Sequence, residues 1–232
     1  TKGNIKRNLT VLMMYQITNQ NIIDEDLTMD TMRKMAKEML KDDAYQKGEF
    51  TLSSGKKSEH YLNCKPVTLS GDGIFYIGSL LLDRIYDNQN AKGVAGLTLG
   101  ADPLVTSVAM LHSARQYAYG GNCENCYEWV PNQYASLIVR KEAKGHGTQA
   151  WIEGPELPKG SEVVVLEDVI TTGGSAIKAV EKLREHGYVV NEVLCVVDRH
   201  EYGDTRELWK KHNLKLDSLF VIEDFMDEHN EG

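Results

Sequence analysis

The sequence has few cysteines, no long apolar run and no surplus of basic residues. Four cysteines among 232 residues are too few for a disulfide framework. No stretch approaches the roughly 18 apolar residues that a transmembrane helix needs. Lysine and arginine number 26 against 34 aspartates and glutamates, so the net charge is −8, whereas a nucleic-acid binder needs surplus positive charge to contact phosphates. These absences predict a cytoplasmic protein in a reducing compartment, with no membrane and no nucleic acid among its partners.

Composition and hydrophobic pattern indicate one large domain behind a short N-terminal extension. Apolar residues make up 41% and charged residues 26% of the chain, which is typical of globular proteins and unlike disordered or collagen-like chains. Residues 1–27 show no sustained period, so we interpret them as an extension and residues 28–232 as a single domain. Residues 116–134 are predicted to be an insertion. The pair Cys123-x-x-Cys126 could be half of a zinc site, but no further ligands follow nearby, so a reduced surface hairpin is the simpler interpretation.

Strand and helix patterns alternate along most of the chain. The predicted helices cover residues 29–46, 73–86, 103–115 and 175–186. The predicted strands cover residues 50–52, 61–63, 94–98, 137–139, 163–166 and 189–197, and a last helix–strand pair lies over about 205–222. Alternation of strands with helices of about 10–15 residues implies crossover connections and a mostly parallel sheet covered on both faces. The sequence therefore predicts an α/β fold.

The segment 163–175 carries the clearest chemistry. An apolar run predicts a buried strand, and Glu167 and Asp168 follow it at once, at the carboxyl end where α/β sheets bind ligands. Residues 171–175 then offer hydroxyls, backbone N–H groups and a helix N-terminus, which together suit a phosphate. Neither G-x-x-x-x-G-K-[ST] nor G-x-G-x-x-G is present, so the pattern favours a phosphorylated sugar over a nucleotide. The alternative is a glycine-rich turn beside ordinary surface acids, although two adjacent carboxylates without a ligand repel each other.

A local cluster of positive charge lies in residues 140–149. It contains four basic side chains: Arg140, Lys141, Lys144 and His146. Interspersed glycines predict that this loop is mobile and can close as a lid. Such a loop suits a diphosphate leaving group, because departing negative charge is stabilised by donors aimed at it. The plainer alternative is a solvated basic hairpin tip.

These motifs resemble those of the type I phosphoribosyltransferases. Residues 163–175 are similar to the motif by which those enzymes bind 5-phosphoribosyl-1-pyrophosphate (PRPP). Among them, the chain looks most like the orotate branch. Residues 50–58 resemble its F-x-L-x-S-G-[RK]-x-S signature, and residues 140–147 resemble its R-K-x-x-K-x-H-G catalytic loop. The pair Asp198-Arg199 resembles the D-R pair whose Arg contacts orotate.

The resemblance implies a fold, a reaction, a cofactor and an assembly. The fold is α/β and type I phosphoribosyltransferase-like, with a mostly parallel central sheet flanked by helices and a small N-terminal hood. The reaction transfers the 5-phosphoribosyl group of PRPP to orotate and gives orotidine 5′-monophosphate and pyrophosphate, in de novo pyrimidine (UMP) biosynthesis. Mg²⁺ is the expected cofactor, carried by PRPP with no direct protein ligand. Relatives are dimers whose mobile loop crosses into the neighbour's site, so we expect a homodimer with shared active sites.

The resemblance also assigns roles to individual residues. The expected catalytic residues are Lys144, His146 and Asp168. The expected PRPP-binding residues are Arg140, Lys141, Lys144, His146, Glu167, Asp168, Thr171, Thr172, Gly173, Gly174 and Ser175. The expected orotate-binding residues are Arg199, Thr171 and Tyr61. Structural alternatives remain for two of them: Arg199 could form an ion pair with Asp198 or Glu201, and Tyr61 could be a core tyrosine.

Departures from the family pattern leave two expected cations unaccounted for. Many relatives have Lys where Ser53 stands, and many have a Tyr-Lys pair in the loop that corresponds to residues 98–103. Three lysines could substitute for them: Lys56, Lys57 and Lys65.

Two other functions stay open. One is a phosphoribosyltransferase for another base, such as uracil or a purine, which Arg199 and the orotate-type loop disfavour. The other is a non-catalytic regulator that keeps the PRPP pocket as a sensor. Regulators of this kind usually add a basic nucleic-acid surface, which the net charge of −8 disfavours.

Overall fold

The chain forms a six-stranded central sheet and a separate two-stranded hairpin. The computed structural model describes residues 28–51, 57–86, 88, 90–119, 134–143, 151–199 and 206–226. Three predicted features therefore fall wholly or mostly outside the described residues: the extension 1–27, the Cys123-x-x-Cys126 pair and the middle of the basic loop. None of the helices in the described ranges has the length and apolar character required to cross a lipid bilayer.

The elements follow one another as short strands and helices. In chain order they are α1 (Met29–Met39), a π-helical turn (Leu40–Ala44), β1 (Tyr45–Thr51), β2 (Lys57–Leu62), α2 (Lys65–Thr68), α3 (Gly71–Ile85), β3 (Ala91–Leu97), α4 (Asp102–Tyr119), β4 (Ala135–Val139), β5 (Ile152–Glu153), β6 (Glu162–Ile170), α5 (Gly174–His186), β7 (Glu192–Asp198), α6 (Arg206–Lys211), β8 (Lys215–Val221) and a 3-10 turn (Ile222–Phe225).

The central sheet is mostly parallel, as predicted. Its strand order is β5-β4-β3-β6-β7-β8. All neighbouring pairs run parallel except β4 and the short edge strand β5. Helices α4, α5 and α6 make the crossovers that parallel neighbours require. The antiparallel hairpin β1–β2 precedes the sheet and forms the small N-terminal hood.

Strand β6 shows why the central strands are continuously apolar. Successive side chains of a strand point to opposite faces. Val163 and Val165 pack in the apolar cluster beneath α5, whereas Val164 and Leu166 pack in the cluster beneath α3 and α4. Both faces of the sheet are covered, so neither face favours polar residues until the strand approaches its carboxyl end.

Several element boundaries differ from the predicted ones. Strand β6 continues to Ile170, so Glu167 and Asp168 lie inside it rather than after it. The cause is strand β7, which pairs with β6 as far as Asp198 and supplies hydrogen-bond partners beyond the apolar run. Helix α4 runs to Tyr119, past the predicted end at residue 115 and into the segment predicted as an insertion.

Candidate active site

A cavity of about 700 Å³ opens at the carboxyl end of strand β6, between the sheet and the hairpin. It gathers residues from β2, β6, the loop before α5 and the end of β7. The predicted site residues that line it are Tyr61, Glu167, Asp168, Thr171, Thr172, Gly173, Gly174, Ser175 and Arg199. Residues far apart in the sequence therefore meet at the edge of the sheet where α/β proteins bind ligands.

The loop 171–175 ends directly in the first turn of helix α5. Gly173 is the N-cap residue and has φ +78°, a left-handed conformation that glycine adopts without strain. A Cβ atom there would lie 2.8 Å from the ring of Trp209, which packs under the loop. Thr172 and Ser175 are exposed, so their hydroxyls and the unsatisfied N–H groups of the helix end are available to an anion.

The two acids sit in different environments. Glu167 is buried, and its Oε2 atom has no hydrogen-bond partner among the residues that the structure describes. Burial first, and then the charge of Asp168, raise the pKa of Glu167 well above its ordinary value. Asp168 is held on both sides: its Oδ1 accepts from the Val169 N–H at 3.0 Å, and its Oδ2 lies 3.4 Å from Lys65 Nζ. Asp168 is therefore the fixed, paired carboxylate, and Glu167 is the acid whose neutral form is favoured.

Lys65 is the cation that the structure brings to the cavity among the three proposed substitutes. It lines the cavity beside Asp168. Lys57 is exposed on β2 and is not part of the cavity wall, and Lys56 lies outside the described residues. The sequence alone could not rank these lysines, because Lys65 meets Asp168 across 103 residues of chain.

Gly100 makes a close contact with Asp168 that no sequence motif indicated. It lies in the loop between β3 and α4, and a Cβ atom on it would be 2.5 Å from Asp168 Oδ1. In the same loop the Thr98 hydroxyl donates to Asp102 Oδ2 at 2.7 Å. This loop therefore closes tightly against the Asp168 carboxylate.

Arg199 joins the sheet to the hairpin. It is only 4% exposed, and its Nη2 donates to the His60 carbonyl at 2.7 Å and to Ser58 Oγ at 3.3 Å. Tyr61 is 38% exposed, lines the cavity and stacks on Phe50 with ring centroids 5.2 Å apart. The interpretation of Tyr61 as a core tyrosine is therefore wrong.

The basic loop begins outside the cavity of its own chain. Arg140 pairs with Glu153, with 3.1 Å between Nη1 and Oε1, and Lys141 is exposed. Neither residue lines the cavity. Lys144 and His146 lie outside the described residues.

The described residues offer carboxylates to a hydrated ion but no dedicated metal cage. Among them there is no group of three or more His, Cys, Asp or Glu side chains that could hold a metal. Glu167 and Asp168 are the acids at the cavity. This set suits Mg²⁺ that arrives on a phosphorylated substrate and keeps most of its water, because Mg²⁺ binds proteins through one or two carboxylates.

Comparisons with known proteins agree with one another. Residues 132–227 match the family described as phosphoribosyl transferase domain. The chain is 50% identical over 202 residues to the orotate phosphoribosyltransferase of Thermosynechococcus vestitus, which covers 87% of this chain and 96% of the relative. It is similar to the crystal structure of Mycobacterium tuberculosis H37Rv orotate phosphoribosyltransferase with Fe(III) dicitrate, at TM-score 0.65 and 31% identity, over 84% of this chain and 98% of that chain. The structure of the mycobacterial enzyme with PRPP is similar at TM-score 0.61 and 28% identity, over the same shares.

Proposed function

This chain belongs to the orotate phosphoribosyltransferase family. We propose that its cavity transfers the 5-phosphoribosyl group of PRPP to orotate and that the residues around the cavity divide the binding of the two substrates among them. The products are orotidine 5′-monophosphate and pyrophosphate. The observation that carries the proposal is one cavity that joins an anion-binding helix end, a pair of carboxylates and a buried arginine. The three features correspond to the 5′-phosphate, the ribose and the base of the two substrates.

Residues 171–175 bind the 5′-phosphate. The exposed hydroxyls of Thr172 and Ser175 and the N–H groups at the start of α5 supply donors. Gly173 and Gly174 have no side chains to keep phosphate oxygens away from the backbone. The positive end of the helix dipole adds an attraction for negative charge.

The two carboxyl groups bind the ribose hydroxyls. Asp168, fixed by Lys65 and the Val169 N–H, faces the positive charge that develops on the ribose when the bond to pyrophosphate lengthens. Burial, and then the charge of Asp168, raise the pKa of Glu167 and so favour its protonated form; a protonated carboxyl can donate a hydrogen bond to a ribose oxygen as well as accept one. A rigid anion beside a forming cation requires little reorganisation during the reaction, which is how electrostatic catalysis operates.

The basic loop stabilises the departing pyrophosphate, and it does so in the site of a second subunit. The roles fall to Arg140, Lys141, Lys144 and His146. Because Arg140 pairs with Glu153 and neither Arg140 nor Lys141 lines the cavity of its own chain, a homodimer with shared sites accounts for both positions. Mg²⁺ carried by PRPP would neutralise part of the diphosphate charge, and Glu167 and Asp168, the acids at the cavity, would face it through its water shell.

Arg199, Thr171 and Tyr61 bind orotate. The Arg199 guanidinium is buried and held by the hairpin, so its planar donors are already oriented before a flat anionic base arrives. Tyr61 presents an exposed ring at the cavity wall on which a pyrimidine can stack.

A base panel tests this proposal. Pyrophosphate release is measured with PRPP, Mg²⁺ and either orotate, uracil, adenine or hypoxanthine. Turnover with orotate and background rates with the other bases are expected. Faster turnover with another base would assign the cavity to that base, and no turnover with any base would favour the sensor.

A further inference from the structure

The two ends of the basic loop lie side by side and close a stem. The Arg140 N–H donates to the Trp151 carbonyl at 2.8 Å. The Arg140 guanidinium then pairs with Glu153, on the strand that leaves the loop, at 3.1 Å. The chain therefore enters and leaves residues 144–150 through one defined point, which we call the stem (residues 140–143 and 151–153).

Helix α5 contacts both sides of this stem. Lys178 Nζ donates to the Lys141 carbonyl at 2.6 Å, on the entering side. On the leaving side, Lys182 Nζ lies 4.4 Å and Lys178 Nζ lies 5.8 Å from the centroid of the Trp151 ring. The two lysines are four residues apart, so they lie on one face of α5 and both make cation–π contacts with the same indole.

Helix α5 itself is a rigid base for these contacts. Its opposite face is fully buried at Ala179, Val180 and Leu183 in the core beneath the sheet. The helix cannot shift without disturbing that core. Contacts to its outer face therefore hold the stem in a fixed place.

We propose that Trp151, Lys178 and Lys182 are positioning residues for the reaction, because they fix the point from which the basic loop presents Lys144 and His146 to the leaving pyrophosphate. The inference rests on the proposed function, in which those two residues stabilise the departing charge. If the stem shifts, Lys144 and His146 are less well aligned with that charge, and the chemical step becomes slower. The alternative is that the aliphatic parts of the two lysine side chains only cover the Trp151 ring and have no effect on the reaction.

Paired substitutions separate these two interpretations. Trp151→Leu removes the aromatic ring that the lysines contact, and Lys178→Met removes the donor to the Lys141 carbonyl. Trp151→Phe keeps an aromatic ring, and Lys178→Arg keeps a donor. Lys34→Met, at an exposed site on α1, is the control. We expect the first two variants to lower kcat on the order of tenfold, with KM for orotate and PRPP and the melting temperature close to wild type. The two conservative variants should recover most of the loss, and the control should match wild type.

A Lys144→Ala variant measured in the same series distinguishes the failure of this inference from that of the proposed function. If Lys144→Ala lowers turnover while Trp151→Leu and Lys178→Met do not, the positioning role is wrong and the proposed function stands. A loss in Trp151→Leu that Trp151→Phe does not recover, or a loss shared with the melting temperature, also overturns the inference. If Lys144→Ala leaves turnover unchanged, the leaving-group role of the loop fails, and the inference fails with it.

Discussion

The backbone of Gly100 lies directly against the Asp168 carboxylate. A Cβ atom on Gly100 would be 2.5 Å from Oδ1 and 2.6 Å from Oδ2, well inside van der Waals contact. The Asp168 carboxylate cannot easily move away from Gly100, because its contacts with Lys65 and the Val169 N–H restrain it. The position of the acid in the cavity is therefore set by a residue with no side chain.

Gly100→Ala is expected to displace Asp168 and to lower kcat on the order of 10²-fold, because small misplacements of reacting groups have effects of that size. Steady-state turnover of orotate measures this change in kcat. Gly71→Ala is the matched control, since nothing lies within 4 Å of a Cβ atom at that position. Equal activity in the two alanine variants would contradict the role given to this contact.

Gly173→Ala is expected to raise KM for PRPP at least about tenfold, because it distorts the phosphate loop. The new Cβ meets Trp209 at 2.8 Å, and a left-handed conformation costs a residue with a side chain about 1–2 kcal/mol. Gly160→Ala separates the two effects, since Gly160 also has positive φ (+84°) but nothing within 4 Å. That control should lose some stability and keep its KM. A normal KM for Gly173→Ala would mean that this loop does not hold PRPP.

The buried Glu167 carboxyl predicts a contribution to the stability of the free protein that is lost as the pH rises. Burial and the Asp168 charge raise the pKa of Glu167, so the folded state keeps a proton that the unfolded state has already released. The contribution of Glu167 to the free energy of unfolding therefore falls from near the ordinary glutamate pKa of about 4.3 up to the raised pKa. Glu167→Gln imitates the protonated acid, so its stability should fall less over the same range.

Urea unfolding of the ligand-free protein between about pH 5 and pH 8 measures this difference. Glu181→Gln, at an exposed position on α5, is the control and should follow wild type. Identical pH dependence for wild type and Glu167→Gln would show that Glu167 is ionised in the folded state throughout this range.

Subunit mixing tests the shared sites. Lys144→Ala and Asp168→Asn chains are each expected to be nearly inactive alone. A heterodimer of the two has one intact site if the loop acts across the interface, so random exchange should restore roughly a quarter of wild-type activity. The absence of recovery in a mixture shown to have exchanged subunits would contradict loop sharing.

Contiguous patterns predicted the fold and the centre of the site. The apolar run before Glu167 predicts a buried parallel strand, and the hydroxyl–glycine loop after it predicts a helix start, because each depends on neighbouring residues only. The structure confirms the parallel sheet and brings residues 167, 168 and 171–175 to one cavity.

Contacts over long sequence distances could not be predicted in the same way. Lys65 meets Asp168 from 103 residues away, and Trp209 supports Gly173 from a helix that the pattern placed only roughly. Strand β6 also runs past its apolar stretch to Ile170, because β7 provides partners there. Such features depend on which surfaces the finished fold brings together, and a local period carries no information about that.

Orotate consumption by wild type and Asp168→Asn, with PRPP and Mg²⁺ at saturating concentrations, tests the central claim most directly. The claim is that the transfer occurs in this cavity, with Asp168 facing the ribose. Wild type should convert orotate to orotidine 5′-monophosphate, and Asp168→Asn should be slower on the order of 10²-fold while remaining folded. Wild-type turnover by the folded Asp168→Asn variant would contradict the claim.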